Sequence, residues 1–478
     1  MNADMLKELE PIFFPRSIAV VGASSNRLKF GTGYLNALID TGYQGGLYPV
    51  HPSEGEISGL KAYPRVRDIP GPVDYVIVSI PAQYTLDLMD DCVAKGVQVI
   101  QFFTAGFSET GEEEGIELER ELVRRAKAGG VRIIGPNCIG VYSPANRMPY
   151  GMMSWMGEPG TVGFISQSGG HGGGIIEAGI RRGIGFSKLV SFGNGCDLNS
   201  IDYLEYFAQD PETAIIGGYL EGIPDGRRFF RLAREVSGAK PLIIWKGGRT
   251  AAGAEAAASH TASLAIPDTI WSAMLRQAGV VRVDSLEELA DTLLTFQHYP
   301  PFYCHQAAIV AGLAGGGGGE SVSSTDACAS MGIDVPPFTA GARGRLKALM
   351  PPAGAILRNP LDMGGGGGNL DVLRETMEII VAEPQIDIIV INAHIDNLAS
   401  FLSMEVVNAM NDIFIHFRKA QRKPIVVVCR PGIGGSERLE QEAKLGRAGI
   451  PIYPSLDRAA QAIANMNQYY QYHHTAHP

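Results

Sequence analysis

The sequence lacks the features that announce several whole classes of protein. Its six cysteines are scattered, and no two of them form a C-x-x-C pair. That offers neither a disulfide framework nor a zinc site, and no resident metal is expected. Lys and Arg number 40 against 50 Asp and Glu, a net charge of -10. Without a basic surplus no nucleic-acid partner is expected. No apolar run nears the roughly 20 residues of a membrane span, and the start of the chain has no signal-peptide pattern. The expectation is a cytoplasmic protein that uses no membrane. Two nucleotide signatures are missing as well. No stretch reads G-x-x-x-x-G-K-[ST], so there is no P-loop. The turn Gly22-Ala23-Ser24-Ser25-Asn26-Arg27 is not G-x-G-x-x-G, and the following strand ends Tyr48-Pro49-Val50-His51-Pro52 with no acid at its tip. A dinucleotide dehydrogenase needs both features, so that class is disfavoured.

What the chain has in excess is glycine, 60 of 478 residues, about twice the usual share. The glycines cluster at strand ends, which reads as ligand loops and tight turns. Hydrophobic residues make up 45% and charged residues 19%, the balance of a well-buried protein. The length suggests about three domains. In residues 1–145, strands at 17–21, 46–50, 73–80, 97–103 and 132–134 alternate with helices at 31–41, 84–95 and 112–128. This alternation implies a parallel, doubly wound sheet with ligands at the carboxyl ends of its strands. Lys29, just after the glycine turn, could meet a phosphate; a solvated loop charge explains it equally well.

Residues 146–300 read as a second α/β unit. A strand at 161–165 runs into Ser166-Gln167-Ser168-Gly169-Gly170-His171-Gly172-Gly173-Gly174 and then a helix. Hydroxyls and glycines ahead of a helix start make a phosphate cradle, because free amides and the helix dipole both favour an anion. Strands at 188–192, 213–220 and 241–246 follow. Glu221 stands at the tip of the second of these, on the rim that carries the Ser166 loop, where it could orient a histidine or serve only the fold. Residues 301–470, after a Pro300-Pro301 hinge, read as a third α/β unit, and residues 471–478 as a tail. The third unit holds two five-glycine runs, Gly315 to Gly319 and Gly364 to Gly368, to which the sequence assigns no role. The fold class is thus α/β, with three doubly wound units.

One stretch stands apart. Gly253 to Ala265 reads Gly-Ala-Glu-Ala-Ala-Ala-Ser-His-Thr-Ala-Ser-Leu-Ala, with the imidazole of His260 alone among small residues. Small residues let a backbone come close to a bulky group or let a segment move. The hydroxyls and amides after His260 suit an anion. On this stretch alone, an ordinary helix–strand connection is as good a reading.

Taken together, the motifs settle between those readings. Phe13-Phe14-Pro15-Arg16-Ser17, VVGASS, YPVHP, the "IPA" after the third strand, GPNCIG, ISQSGG, YLEGI, GGR and ASHTASLA occur in that order. Over residues 10–300 the chain resembles the alpha subunit of NDP-forming acyl-CoA synthetases, the ADP-forming acetyl-CoA synthetase branch of the succinyl-CoA synthetase superfamily. Its third unit, with Asn359-Pro360-Leu361-Asp362, resembles the extra flavodoxin-like domain of that branch.

The resemblance implies a Rossmann-like CoA-binding domain followed by two flavodoxin-like domains. It implies CoA at Gly22, Ala23, Ser24, Ser25, Lys29, Pro49, Val50, Ser79, Ile80 and Pro81, with Asn137 and Cys138 near the reacting thioester. His260 would be phosphorylated in turnover and held by Glu221. Ser166, Gln167, Ser168, Gly169, Gly170 and Thr261 would contact the phosphoryl group. The implied reaction converts acyl-CoA, phosphate and ADP into a carboxylic acid, CoA and ATP, through an acyl phosphate and a phosphohistidine.

None of the three units reads as an ATP-grasp, so ADP or ATP with magnesium is expected on a separate ATP-grasp beta subunit, in a heterotetramer. The substrate would be a small carboxylic acid. Ala262 and Ile266 stand where the family commonly has glycine, and His51 where it often has asparagine. A non-catalytic or regulatory CoA-binding protein of the same fold is the alternative.

Overall fold

A computed structural model describes residues 5–255, 267–300, 302–314, 317–350, 354–420, 423–432 and 435–476. His260, Thr261, Ala262 and Ile266, along with Pro301, Gly315 and Gly316, lie outside these residues. The chain divides into two compact units, Met1–Leu289 and Ala290–Pro478.

The first unit contains two of the main sheets. It opens on helix α1, Met5–Phe13, which the sequence analysis passed over. Strand β1, Ser17–Val21, is buried at all five positions, as a strand covered on both faces must be. Helix α2, Phe30–Asp40, follows the glycine turn, and β2 is Gly46–Val50. Then come β3, Tyr75–Val78, α3, Thr85–Lys95, β4, Val99–Phe102, α4, Glu113–Gly129, and β5, Arg132–Ile134. The order is β2-β1-β3-β4-β5, every pair parallel. The chain leaves β1 toward one side and later fills the other, which puts a topological switch point at the end of β1.

The second sheet begins with β6, Gly140–Tyr142, followed by β7, Pro159–Ser166, α5, Gly169–Arg182, β8, Phe186–Ser191, α6, Ser200–Gln209, and β9, Ile215–Leu220. It is completed by α7, Gly226–Ser237, β10, Leu242–Lys246, α8, Asp268–Gln277, and β11, Val281–Val283. Its order is β11-β10-β9-β7-β8-β6. Strand β6 pairs antiparallel to β8. The chain enters this sheet straight from the first, without the crossover helix that a parallel neighbour needs. Here β7 is the central first strand, so the Ser166 loop also opens at a switch point.

Polar ties join the two sheets. Asp197 accepts from the Arg132 guanidinium at 2.8 Å and from the Ile133 amide at 2.9 Å. Phe13 of α1 stacks on Tyr206 of α6 with centroids 4.9 Å apart.

Helix α9, Leu286–His298, runs across the boundary between the units. The second unit holds one six-stranded sheet, built from β12, Ala307–Ala311, β13, Ile356–Leu357, β14, Leu361–Asp362, β15, Ile388–Asn392, β16, Ile425–Val428, and β17, Ile452–Tyr453. The order is β13-β14-β12-β15-β16-β17, with β13 antiparallel. Here the second glycine run, Gly364 to Gly368, finds a physical use. The Gly365 amide donates to the Gly312 carbonyl at 2.9 Å, and a Cβ on Gly367 would lie 2.7 Å from the Leu313 carbonyl oxygen. The loop after β12 and the loop after β14 thus run backbone against backbone. Residues 471–476, read as tail, continue helix α10, Leu456–Ala476. Among the described residues no helix is long and apolar enough to cross a membrane.

His298 offers a handle on the second unit's stability. Its Nε2 is enclosed without a hydrogen-bond partner, and burial, with the Arg418 guanidinium second, lowers its pKa to about 4. The unfolded chain, near 6.5, then binds the extra proton between pH 6.5 and 4. Stability present above pH 6.5 is lost across that window, on the order of 3 kcal/mol. Urea unfolding should show this loss in the wild type and a flatter profile in His298→Gln.

Candidate active site

The site grows from the turn after β1. Gly22 has φ +99°, and a Cβ there would sit 2.3 Å from the Ser79 carbonyl oxygen at the end of β3. Only glycine fits a backbone that turns left-handed against another backbone. The turn is braced from within: the Ser24 amide donates to Thr32 Oγ1 at 3.0 Å, and that hydroxyl donates back to the Ser24 carbonyl at 2.9 Å. Lys29, in the cap position of α2, makes no capping bond with its side chain.

Two cavities open at these strand ends. The larger, about 790 Å³, is lined by Gly22, Ser24, Lys29, Val50, Ser79, Ile80 and Pro81, with His51, Arg65 and Arg67 beyond. The smaller, about 560 Å³, is lined by Lys29, Ser79, Ile80, Pro81, Asn137, Cys138, Gln167, Ser168, Gly169 and Gly170. Lys29, Ser79, Ile80 and Pro81 belong to both, so the glycine turn and the Ser166 loop share one continuous wall.

Other expected residues fall outside the cavities. Ala23 is buried, and Ser25 and Pro49 line neither cavity. The Ser25 amide donates to the Glu54 carboxylate at 2.8 Å. An acid does therefore reach the glycine turn, from four residues past Val50, where inspection of the strand tip missed it. The protein's own amide uses that carboxylate, and His51 Nδ1 accepts the Glu54 amide at 3.2 Å to hold the loop.

The Ser166 loop is mostly self-supporting. Ser166 is fully buried and off the cavity wall, its hydroxyl donating to the Ser168 carbonyl at 2.5 Å. Ser168 caps α5, its Oγ accepting from the His171 amide at 3.4 Å. Gln167 does more than line the cavity. Its side-chain oxygen accepts from the Glu221 amide at 2.9 Å and the Gly222 amide at 3.2 Å. That clamp ties the tip of β9 to the loop after β7.

Glu221 itself is buried and lines neither cavity, and its Oε1 accepts from the Tyr219 hydroxyl at 3.1 Å. Burial, reinforced by that carboxylate, pushes the Tyr219 phenol well above its ordinary range. Lys246, at the end of β10, is also buried. Burial lowers its pKa, while the charges of Asp268 and Glu221 oppose the shift. The small-residue stretch with His260 follows β10, and from Ala256 onward it lies outside the described residues.

Asn137 has φ +56°, and its amide donates to the Thr104 carbonyl at 3.0 Å. The Cys138 thiol is buried against the Phe102 and Ile134 carbonyls, and burial pushes its pKa far up. Such a thiol is no nucleophile. Phe103 and Thr104, at the end of β4, also line the smaller cavity, as does Phe30. The rule that ligands sit at the carboxyl ends of parallel strands would have found the first two had it been applied at the end of β4.

This arrangement defines a class, the α/β proteins in which a glycine turn and a glycine-rich loop open side by side at the strand ends of adjoining sheets. Residues 16–144 match the CoA binding domain family, and residues 159–296 match the succinyl-CoA ligase like flavodoxin domain. The chain is 35% identical over 466 residues to the Pyrococcus furiosus protein named acetate–CoA ligase [ADP-forming] II subunit alpha, covering 96% of this chain and 98% of the relative. It is 34% identical over 464 residues to acetate–CoA ligase [ADP-forming] I of Archaeoglobus fulgidus, covering 96% of this chain but 64% of that longer protein. A solved structure of a Candidatus Korarchaeum cryptofilum acetyl-coenzyme A synthetase, described as dinucleotide forming and in complex with phosphate and ADP, superposes with a TM-score of 0.84. The identity there is 34%, with 98% of this chain and 99% of that chain covered. The chain belongs to the ADP-forming acyl-CoA synthetases of the succinyl-CoA synthetase superfamily.

Removing the Gln167 clamp leaves two buried amides without an acceptor. Gln167→Ala should therefore lose about 2 kcal/mol of unfolding free energy in urea. A loss within experimental error would show that the amides find water instead.

Proposed function

We propose that this chain is the alpha subunit of an ADP-forming acid–CoA ligase and performs the CoA and phosphate half of the reaction. The observation that carries this reading is the wall of Lys29, Ser79, Ile80 and Pro81 common to both cavities. A thioester whose nucleotide end lies along the glycine turn then reaches the loop at Ser168 to Gly170. Gly22, Ser24, Lys29, Val50 and Ser79 to Pro81 hold the CoA. Asn137 and Cys138 border the thioester, the cysteine as wall only.

Phosphate at the start of α5 meets the helix amides and the positive end of the dipole. A phosphate oxygen attacks the thioester carbonyl, the C–S bond breaks, and CoA leaves as the thiolate. An imidazole nitrogen of His260 then attacks phosphorus, and the carboxylate departs with the bridging oxygen. Glu221, aimed by Gln167, accepts the other imidazole N–H. It thereby sets the tautomer and stabilises the cation formed on phosphorylation. Thr261, beside His260 in the sequence, joins the phosphoryl contacts. A protein that only bound CoA would have no use for this buried, clamped glutamate.

The phosphohistidine must pass its phosphoryl group to ADP. The Archaeoglobus fulgidus relative is longer than this chain, which spans 64% of it. The Pyrococcus furiosus relative is named a subunit. We therefore assign the nucleotide and its magnesium to an ATP-grasp beta subunit in a heterotetramer. Residues 1–145 serve CoA, 146–300 carry the phosphohistidine, and 301–470 form the extra ligase domain. The six cysteines are unpaired, which fits a reducing cytoplasm.

Incubation of the chain and its partner with phosphate and acyl-CoA should place an acid-labile phosphoryl group on the His260 peptide, read by mass spectrometry. His260→Ala should abolish it. Glu221→Gln should slow its appearance by about 100-fold. A peptide that stays unmodified with every thioester tried would refute the catalytic reading.

A further inference from the structure

Next to Glu221 stands a group of three rings that none of the steps above uses. Tyr219 in β9 pairs in register with Ser166 in β7 and with Trp245 in β10. Its ring lies 4.6 Å from that of Trp245 and 4.3 Å from that of His171, in the first turn of α5. The His171 and Trp245 rings close the triangle at 4.5 Å. Tyr219 is buried, and tilted rings packed this closely hold one another in place.

This packing aims the phenol. Its hydroxyl donates to Glu221 Oε1 at 3.1 Å. The same hydroxyl fills the space beside Gly247, the first residue after β10 on the way to the His260 stretch. A Cβ on Gly247 would collide with the hydroxyl oxygen and lie 2.9 Å from the ring carbon that bears it. Gly247 is held there, because its amide donates to the Leu220 carbonyl at 2.9 Å. Glu221 is thus fastened at two levels. Gln167 acts on the backbone, through the Glu221 and Gly222 amides, and Tyr219 acts on the carboxylate itself. The second fastening matters because a carboxylate turns about its own side-chain bonds even on a fixed backbone. Burial, then the charge of Glu221, keeps the phenol protonated, so it stays a donor.

We propose that Tyr219 is a positioning residue for the phosphoryl transfer: its hydroxyl sets the orientation of Glu221, and through it the imidazole nitrogen that meets phosphorus. This rests on the function proposed above, in which Glu221 accepts the other imidazole N–H of His260. An oriented acceptor fixes the plane of the imidazole as well as its tautomer. Without the hydroxyl the carboxylate keeps its charge but not its aim. The transfer step then slows, because it depends on alignment, while acyl-CoA binding is untouched.

Rapid quenching of the chain and its partner with acetyl-CoA and phosphate tests this, read as phosphoryl groups on the His260 peptide. Tyr219→Phe should slow the maximal rate about 10-fold. The acyl-CoA concentration at half-maximal rate should stay within about twofold, since no binding contact is lost. In a Glu221→Ala chain, which has no carboxylate to orient, adding Tyr219→Phe should change the rate by less than about twofold. Thermal unfolding of each variant reports whether it is folded. An unchanged rate in folded Tyr219→Phe overturns the proposal, as does a further loss of about 10-fold in the Glu221→Ala chain. A Tyr219→Phe chain that does not fold overturns it as well, because the hydroxyl then serves the fold. A wild-type chain that no thioester phosphorylates overturns the assigned function and this inference with it; phosphorylation untouched by Tyr219→Phe overturns the inference alone.

Discussion

The contact on which the site depends is backbone against backbone. The turn after β1 passes the end of β3 so closely that Gly22 has no room for a side chain, and Gly31 of α2 comes up against the same turn. Three chain segments therefore converge with nothing between them. Their convergence builds the wall of Lys29 and Ser79 to Pro81 that both cavities share. A single methyl group would push β1 and β3 apart at the tip and separate the two spaces.

The second sheet repeats the same plan with different fastenings. In each sheet the strand at the switch point delivers a loop to the cleft. The first loop is held by a hydroxyl and an amide exchanging hydrogen bonds, Thr32 with Ser24. The second is held by one carboxamide serving two amides, Gln167 with Glu221 and Gly222. The Asp197 pair with Arg132 then fixes one sheet on the other. Both loops are thus held in shape by hydrogen bonds within the protein.

The sequence made the strands easy to find, because β1, β3, β9 and β16 are continuous apolar runs buried on every position. Helix α1 escaped because Pro11 lies inside its nine residues and blurs the periodicity. Strands β6 and β14 escaped because three or two residues carry no pattern. In the site, the family resemblance reached Ser79 to Pro81 and Asn137, which line the cavities. It did not reveal which polar groups the protein spends on itself. Ser25, Ser166 and Gln167 look alike as loop donors in the sequence, yet Glu54, Ser168 and Glu221 respectively engage them. Those partners are distant in the chain or depend on the turn geometry, and periodicity carries no trace of either.

Under the function proposed above, Cys138 would border a thiol cofactor, and its burial then has a consequence. Coenzyme A released in a cleft lined by an exposed cysteine would form a mixed disulfide under mild oxidation and block the enzyme with its own product. Here the sulfur is turned into the Phe102 and Ile134 carbonyls and kept protonated. Thiol–disulfide exchange requires a thiolate with access to its partner. The wall of the cleft thus contains a sulfur atom that would be chemically silent toward the sulfur of a bound CoA.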